Sequence, residues 1–366
     1  MTNFRKLCLK YAPAIALILI ASAPARTSAQ SAAAHQTPSP NGKILFQSTQ
    51  GSDTYVNEIY TMEADGKRQT RLTYNEFDDT HPLWSPQGNR IAFLADRGAG
   101  YDIYLMNPDG SGERPVRDAA HGGPLATDNI EWSPDGTKLL YAVGGKIYVV
   151  EVDTDAPVQN LSASAPVYAY DNKATWSPDG SKLAFISYGC AGCFPDLFTM
   201  NADGTNRAQL TTTPQAEFEP AWSPNGNQIA YGSFRLNGFS NVFVMNADGT
   251  NDHLLNSEVF DAASPVWSPD GTRIAIGSSG PAAAQRRGLY TVSANGSNLT
   301  FLTDEANGGR VIWSPDGTRI VTHATIANWV DVVGLDSDGS ARHVSNMTKT
   351  RKADEFAYSW QRLPTQ

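Results

Sequence analysis

A five-residue segment, Trp-Ser-Pro-Asp-Gly, recurs along the chain and constrains the fold more than any other feature of the sequence. It stands unaltered at 132–136, 176–180, 267–271 and 313–317, and near-copies begin at Trp84 and Trp222. A seventh copy keeps only the tryptophan, Trp360. Successive tryptophans of the series are 44 to 48 residues apart. A repeat of this length that holds four short strands indicates a β-propeller.

The Ser-Pro-Asp-Gly part of the repeat has the composition of a tight turn. Proline fixes φ near −65° at the second position, and glycine takes a positive φ at the fourth without a Cβ penalty. We therefore predict a hairpin between the strand that ends at each tryptophan and the strand that follows. A third strand, a second turn of the form Asn-x-Asp-Gly and a short outer strand complete the unit. We call the four strands A to D, with A innermost.

The two ends of the chain hold incomplete and complementary units. Residues 43–47 resemble strand B of the repeat, whereas residues 356–360 resemble strand A and end at Trp360. Pairing these segments in one blade would close the ring and leave no open sheet edge. Six complete units plus this shared blade predict an all-β, seven-bladed β-propeller of four-stranded antiparallel blades. Each tryptophan is expected to pack between neighbouring blades.

The repeat, with its Trp-Ser-Pro-Asp-Gly and Asn-x-Asp-Gly turns, resembles that of TolB-like (WD40-like) propellers from about residue 43 to the end of the chain. The resemblance implies the propeller fold. It implies no single activity, because similar repeats form binding proteins, lyases and the propeller domains of peptidases. TolB relatives have six blades and a separate N-terminal domain, so the predicted seven-bladed ring departs from them.

The beginning of the chain differs in composition from the rest. Residues 1–29 contain four basic groups, no acidic group and the apolar run 12–23, which is the pattern of a secretory signal peptide. Residues 30–41, rich in Ala, Ser, Gln and Pro, are predicted to be a disordered linker, and residues 42–366 the propeller. We expect a periplasmic or secreted protein with no membrane span after cleavage. An uncleaved anchor is the alternative.

Outside the predicted signal peptide the chain is acidic, with 24 basic and 37 acidic groups. Such a surface repels nucleic acid and anionic lipid, so we expect neither as a partner. It suits a cation, a basic patch on a partner protein, or solubility alone. We expect a monomer.

The predicted topology sorts the connections onto two faces. The A–B and C–D turns share one face, and the longer, more varied D–A and B–C loops share the other, which favours the second face for binding. The candidate binding residues near the start of strand A are Asp79, His81, Asp128, Tyr170, Asp171, Glu217, Glu219, Asp261, Arg310 and Asp354. The carboxylates among them could contact a basic partner, hold Ca²⁺ in the channel, or only solvate the rim.

Two cysteines, Cys190 and Cys193, lie in the B–C loop of one unit. In an exported protein this pair predicts a small structural disulfide. A zinc site would need two further ligands, and no neighbouring spacing supplies them.

Sequence motifs of catalysis are hard to find. The chain has no Gly-x-Ser-x-Gly, no P-loop and no His-Glu-x-x-His motif. We therefore predict a non-catalytic scaffold, without a cofactor, that binds a protein or another cell-envelope component on its D–A/B–C face. The alternative is a metal-dependent carbohydrate lyase or hydrolase at the mouth of the channel, using His81, His121 or His323 together with rim carboxylates. This alternative draws on a resemblance of the repeat to seven-bladed oligogalacturonate lyases, which use His and Gln to bind a metal.

Overall fold

The computed structural model describes residues 41–50, 56–98, 100–116, 130–189, 192–236, 238–258, 261–278, 287–306, 310–326, 329–340, 345–349 and 353–363. Within these residues the chain forms 28 β-strands in seven four-stranded antiparallel sheets and no helix. No described segment is therefore a helix that could cross a membrane. Backbone contacts separate residues 1–35 from residues 36–366, and all seven sheets belong to the second unit. The predicted signal peptide and nearly all of the predicted linker lie outside the described residues.

Each sheet is one blade, and the blades are numbered from the one that contains the first strand. Blade 1 consists of β1 (Asn41–Ser48), β2 (Glu58–Met62), β3 (Thr70–Arg71) and β28 (Glu355–Arg362). Blade 2 consists of β4 (Asp79–Trp84), β5 (Ile91–Asp96), β6 (Tyr101–Met106) and β7 (Arg114–Pro115). Blade 3 consists of β8 (Ile130–Trp132), β9 (Lys138–Val143), β10 (Lys146–Glu151) and β11 (Gln159–Asn160). Blade 4 consists of β12 (Tyr170–Trp176), β13 (Lys182–Tyr188), β14 (Pro195–Asn201) and β15 (Ala208–Gln209).

The remaining three blades follow the same order from strand A to strand D. Blade 5 consists of β16 (Glu217–Trp222), β17 (Gln228–Leu236), β18 (Phe239–Asn246) and β19 (His253–Leu254). Blade 6 consists of β20 (Ala262–Trp267), β21 (Arg273–Ser278), β22 (Gly288–Ser293) and β23 (Thr300–Thr303). Blade 7 consists of β24 (Ile312–Trp313), β25 (Arg319–Ile326), β26 (Trp329–Asp336) and β27 (Ser345–Asn346).

Strand β28 forms the inner edge of blade 1 and joins the two ends of the chain. It pairs antiparallel with β1, with Trp360 opposite Ile44 and Glu355 opposite Ser48. The order β28-β1-β2-β3 therefore corresponds to strands A to D, with strand A supplied from the C-terminal side. The predicted seven-bladed ring with one shared blade is confirmed.

Side chains of the Ser-Pro-Asp-Gly turns bind their own backbone, which explains the composition of the repeat. The Ser133 hydroxyl donates to Asp135 Oδ1 (2.6 Å) and accepts from the Lys138 N–H (2.9 Å). The Gly136 N–H closes the turn on the Ser133 carbonyl (2.8 Å), with a φ of 68° at the glycine. The hydrogen bond from Ser133 is the main cause that lowers the pKa of Asp135. The same serine–aspartate bond recurs in the other three unaltered copies.

Apolar side chains between neighbouring blades form the core. Among the described residues there are seven buried clusters, and each joins one blade to the next, including blade 7 to blade 1. Every strand-A tryptophan is more than nine-tenths buried in one of these clusters. The Trp132 indole also donates to the Leu83 carbonyl of the preceding blade (3.3 Å). The predicted packing of the tryptophans is confirmed, and the clusters close the ring.

Candidate functional site at the channel mouth

Strand A carries a β-bulge in several blades, three residues before its tryptophan. The pairing with strand B slips between Thr80 and Leu83 in blade 2, and at the same place in blades 4, 5 and 6. The residues at this position in the four blades are His81, Lys173, Glu219 and Ser264, with φ between 49° and 55°. An extra residue in one strand re-aims the side chains around it. All four keep accessible surface, whereas the residue after each of them is buried.

Contacts between neighbouring strands A show that the bulge residues face the central channel. Ser264 of blade 6 donates to Glu219 Oε2 of blade 5 (2.6 Å). The His81 ring of blade 2 lies 4.8 Å from the Tyr358 ring of blade 1. The Arg310 guanidinium, just before strand A of blade 7, lies 4.8 Å from the centre of the same tyrosine ring. Because strand A is the innermost strand of each blade, these side chains line the channel wall.

A cavity of about 160 Å³ lies where blades 7, 1 and 2 meet the channel. It is lined by His81, Arg310, His323, Phe356, Ala357 and Tyr358. His323 belongs to β25, strand B of blade 7, and its ring lies 5.2 Å from the Phe356 ring in an edge-to-face arrangement. Burial lowers the pKa of His323, so its imidazole is neutral near pH 7. Arg310 is exposed.

This set of groups suits acid–base chemistry on an anion. A guanidinium binds a carboxylate through paired, charge-assisted hydrogen bonds. A neutral imidazole accepts a proton, and a phenol or a second imidazole donates one. Two imidazoles are too few ligands for a transition-metal site. Across the described ranges, no group of three or more His, Cys, Asp or Glu side chains is placed to hold a metal ion.

Glu131, on strand A of blade 3, is a further ionisable group of the channel. Its Oε1 accepts from the Thr175 hydroxyl (3.1 Å) and the Trp176 N–H (3.3 Å) of blade 4. The Glu131 side chain is half-buried. Burial raises the pKa of Glu131 to about 7, against the lowering effect of both hydrogen bonds and of the Arg310 charge. Glu131 also lines a second cavity, of about 280 Å³, near the A–B turns.

Three carboxylates that the sequence analysis placed on the rim are fully buried instead. Asp79, Asp171 and Glu217 stand five residues before their tryptophans and have no accessible surface. Their hydrogen-bond donors are Arg97 and Asn75 for Asp79 (2.7 and 2.8 Å), Arg207 and Ser162 for Asp171 (2.9 and 2.6 Å), and Thr213 and Ser233 for Glu217 (2.6 and 3.1 Å). Burial raises the pKa of Asp79 and raises that of Glu217 to about 7. The predicted position of these three carboxylates on the rim is therefore corrected. Through these hydrogen bonds they hold the D–A loop against its blade.

The other predicted binding residues have varied surroundings. Tyr170 is 51% exposed. Glu219 and Asp261 are partly buried and each accepts from a serine hydroxyl, at 2.6 and 2.9 Å. Asp354 Oδ1 accepts from the Val330 N–H (3.0 Å). A binding role for these side chains stays a prediction.

Some predicted residues fall outside the part of the chain that the structure describes. They are Asp128, His121 and Cys190. Cys193 is described and is disulfide-bonded. Of the three histidines proposed for the alternative function, the structure therefore brings His81 and His323 to one cavity.

The sequence analysis missed Tyr358, which lies between His81 and Arg310. The pairing of β28 with β1 slips at this residue, so β28 is also bulged. A signal was present in the sequence, because Tyr358 stands two residues before Trp360 on a strand already assigned to the channel wall.

A closed ring of seven blades, with titratable groups gathered at one end of its channel, defines a β-propeller whose channel mouth is the candidate site. The family model of the TolB beta propeller domain matches residues 9–165 and 192–356, and the chain belongs to this family.

Individual relatives match only part of a longer protein or share little sequence. The uncharacterized peptidase YuxL of Bacillus subtilis is 27% identical over 198 residues, which are 51% of this chain and 27% of YuxL. The chain spans 27% and 52% of the length of two curated relatives that it matches. Puromycin hydrolase has a TM-score of 0.64 at 16% identity, over 86% of this chain and 54% of that chain. An oligogalacturonate lyase in complex with manganese has a TM-score of 0.62 at 15% identity, over 83% and 85%.

These comparisons correct the functional prediction. The expectation of a non-catalytic scaffold, and of a protein more likely not to be an enzyme, is wrong, because the curated relative YuxL is named as a peptidase. The likeness to the two solved structures shows the fold alone.

Proposed function

We propose that the chain is a carbohydrate-cleaving enzyme, and more specifically a lyase. It cleaves the glycosidic bond of an acidic sugar unit that is bound at the channel mouth. The observation that carries this proposal is the cavity in which His81, His323 and Tyr358 meet Arg310. The likeness to an oligogalacturonate lyase supports it, since that protein has this fold over 85% of its length.

The groups of the cavity match the steps of a β-elimination. The Arg310 guanidinium would bind the sugar carboxylate and stabilise the charge that develops on it. Neutral His323 would take the proton from the carbon next to the carboxylate, and the electron pair left behind would form a carbon–carbon double bond. The bond between the neighbouring ring carbon and the glycosidic oxygen would break as this double bond forms, and the leaving oxygen would take a proton from Tyr358 or His81. The leaving alcohol and the unsaturated acidic sugar are the products.

Elimination fits the cavity better than hydrolysis does. Most glycoside hydrolases use a pair of Asp or Glu side chains on either side of the bond that is cleaved. The cavity's described lining contains no carboxylate. The described lining of the cavity offers His81 and His323 as metal ligands, and the steps above are written for this chain's own side chains. Calcium in the channel stays a prediction, which elemental analysis of the purified protein would test.

Incubation of the purified full chain with acidic oligosaccharides tests the proposal. The unsaturated product absorbs ultraviolet light, so its formation can be followed directly, and neutral oligosaccharides should give no signal. We expect His323→Gln to lower kcat by roughly a hundredfold or more, as for the loss of a general base. Arg310→Gln should raise KM for the acidic sugar. His253→Gln, an exposed histidine on β19, is the matched control and should leave both constants unchanged.

The pH profile offers a second readout of the same assignment. Because the pKa of His323 is lowered, the residue stays neutral and able to accept a proton at pH values where an ordinary histidine is charged. The wild-type rate should therefore persist below the usual histidine range and fall only at lower pH. Turnover of acidic sugars that does not change in His323→Gln would overturn the assigned base. Absence of turnover on every acidic sugar would overturn the function.

We propose that this activity takes place in the periplasm or outside the cell, because residues 1–29 have the pattern of a secretory signal. Cell fractionation of a tagged full chain tests this location. Recovery in the cytoplasm with residues 1–29 still attached would contradict it.

A further inference from the structure

Large apolar side chains are exposed on one face of the ring. Ten such residues are exposed among those described, and every one of them lies in a D–A or B–C connection or at a strand end beside one. They are Tyr74, Phe77, Val167, Tyr168, Tyr170, Tyr188, Phe194, Phe234, Leu236 and Phe239. Eight of the ten are aromatic, so this face presents flat rings rather than the aliphatic mixture of a core. It is also the face that carries the proposed active site.

Six aromatic rings gather on blades 4 and 5, and we call them the aromatic arc. The arc consists of Tyr170, Tyr188, Phe194, Phe218, Phe234 and Phe239. Tyr170 and Tyr188 meet edge to face with ring centres 6.0 Å apart. Phe218 and Phe234 lie 5.1 Å apart. In a ring of seven, blades 4 and 5 are opposite blade 1, so the arc faces the cavity of His81 and Arg310 across the channel mouth.

Two glycines hold rings of the arc in place. A Cβ on Gly145, in the β9–β10 turn of blade 3, would overlap the ring of Tyr170. A Cβ on Gly232, in β17, would overlap the ring of Phe218 in the same way. The Tyr170 ring therefore rests with one side against bare backbone, while about half of its surface stays open to solvent. A ring that is already fixed in one orientation loses little entropy when a flat ligand stacks on it.

The charges around the arc indicate what kind of ligand suits it. Glu219, Asp261 and the exposed Glu258 flank its blade 5 rings, where the Arg235 guanidinium is neutralised by a bidentate pair with Asp252. On blade 4, Lys173 follows Tyr170 on the same strand, and the Lys146 ammonium donates to the Ala169 carbonyl (3.3 Å). The whole chain carries a formal charge of −9. A polymer with an acid on every unit would be repelled at the blade 5 rings, whereas uncharged rings with apolar faces would not. The cationic group offered to an acidic sugar, Arg310, lies on the opposite side of the mouth.

We propose that the aromatic arc binds uncharged sugar units of a mixed polysaccharide whose acidic unit occupies the cavity. The inference rests on the proposed function and extends it, because it names the substrate class as a chain long enough to cross the channel mouth. A sugar ring stacks its apolar face on an aromatic ring and keeps its hydroxyl groups in water. The cavity then selects the acidic unit, and the arc selects the uncharged units beyond it.

Affinity electrophoresis through gels that contain a polysaccharide tests the arc without turnover. The protein carries His323→Gln so that the polymer is not consumed, and the two probes are highly methyl-esterified pectin and fully de-esterified polygalacturonate. We expect the esterified polymer to bind more tightly. Tyr170→Leu and Phe234→Leu should each weaken that binding by about fivefold, which is what one lost aromatic contact is worth. Tyr170→Phe keeps the ring and should bind like the parent, and so should Tyr74→Leu, an exposed ring outside the arc.

The outcomes separate this inference from the proposed function. Weaker binding by Tyr170→Leu, without any product from acidic sugars, would support sugar binding by the arc and contradict the proposed lyase activity. Product formation, with unchanged binding by both leucine variants, would support the proposed lyase activity and contradict sugar binding by the arc. Tighter binding of polygalacturonate than of the esterified polymer would overturn the proposed substrate class. A change in sedimentation coefficient, with affinity unchanged, would make the arc an interface between copies of this chain and would also overturn the inference.

Discussion

At the scale of single residues, Glu131 couples the ionisation of the channel to folding. Burial raises its pKa to about 7 from an ordinary value of 4.5, so the folded protein keeps a proton that the unfolded chain has lost between these two pH values. The unfolded state then binds fewer protons, and stability falls as pH rises through this window. Glu131→Gln cannot ionise and its amide oxygen can still accept from Thr175 and Trp176. The wild type should therefore lose, relative to Glu131→Gln, at most about 3 kcal/mol between pH 4.5 and 7.

Urea unfolding of both proteins at several pH values checks this. Glu151→Gln, on the outer part of blade 3, controls for the removal of a carboxylate from a solvated site. A stability difference between wild type and Glu131→Gln that is constant with pH would mean that the carboxyl group titrates normally in the fold.

Asp171 shows how a carboxylate at the start of strand A serves its blade. It accepts two hydrogen bonds from Arg207, whose guanidinium lies 4.7 Å from the ring centres of both Phe185 and Phe198. Asp171→Ala would leave this largely buried cation without its counter-charge, at an expected cost of about 3–5 kcal/mol in the free energy of unfolding. Asp65→Asn breaks an exposed ion pair with Lys67, keeps an acceptor for the Lys67 N–H and should change nothing measurable. Equal stability of the two variants in urea would show that the buried pair is dispensable.

At the scale of strands and turns, the sequence predicts what is local and repeated. The tryptophan period and the Ser-Pro-Asp-Gly turns determine the hairpins, and the half-units at the two ends predict the shared blade, because each feature depends on neighbouring residues in the chain. The bulges of strand A were not predicted, because of His81, Glu219 and Ser264 only the histidine belongs to the residue types that favour a positive φ. Each is nevertheless followed by a proline, and proline inside an inner strand is a signal of interrupted pairing.

The candidate site was predicted only in part, for a related reason. The sequence assigns His81 and His323 to the same face, but their approach depends on the closure of blade 7 onto blades 1 and 2, which no local pattern measures. The carboxylates assigned to the rim recur at one position of the repeat, and this recurrence indicates a structural role. Asp79, Asp171, Glu217 and Glu355 all stand five residues before a tryptophan and are all fully buried. A residue that repeats with the unit serves the unit, as the tryptophans do.

At the scale of the whole molecule, the proposed site depends on the ring being closed. The cavity takes side chains from blade 2, from blade 7 and from β28 of the shared blade, so it lies at the junction where the last blade meets the first two. The cluster of apolar residues between blades 7 and 1 includes Trp360 and Ala357 of β28. Closure of the ring and assembly of the site are therefore one event in this fold.

Two circular permutants test how much the shared blade contributes to that closure. Arg362 pairs with Asn41, so a short linker can join residue 363 to residue 41 as a hairpin. In one permutant the new ends lie between β7 and β8, and every blade is then continuous in sequence. In the other they lie between β21 and β22, so that blade 6 is completed by both ends of the chain. We expect the second permutant to melt at the higher temperature, because strand pairing as well as packing closes its ring; a difference of about 2 kcal/mol would separate the two by roughly 3 °C. Both should regain the far-ultraviolet circular dichroism of the parent. Equal melting temperatures would mean that the apolar clusters between blades close the ring on their own.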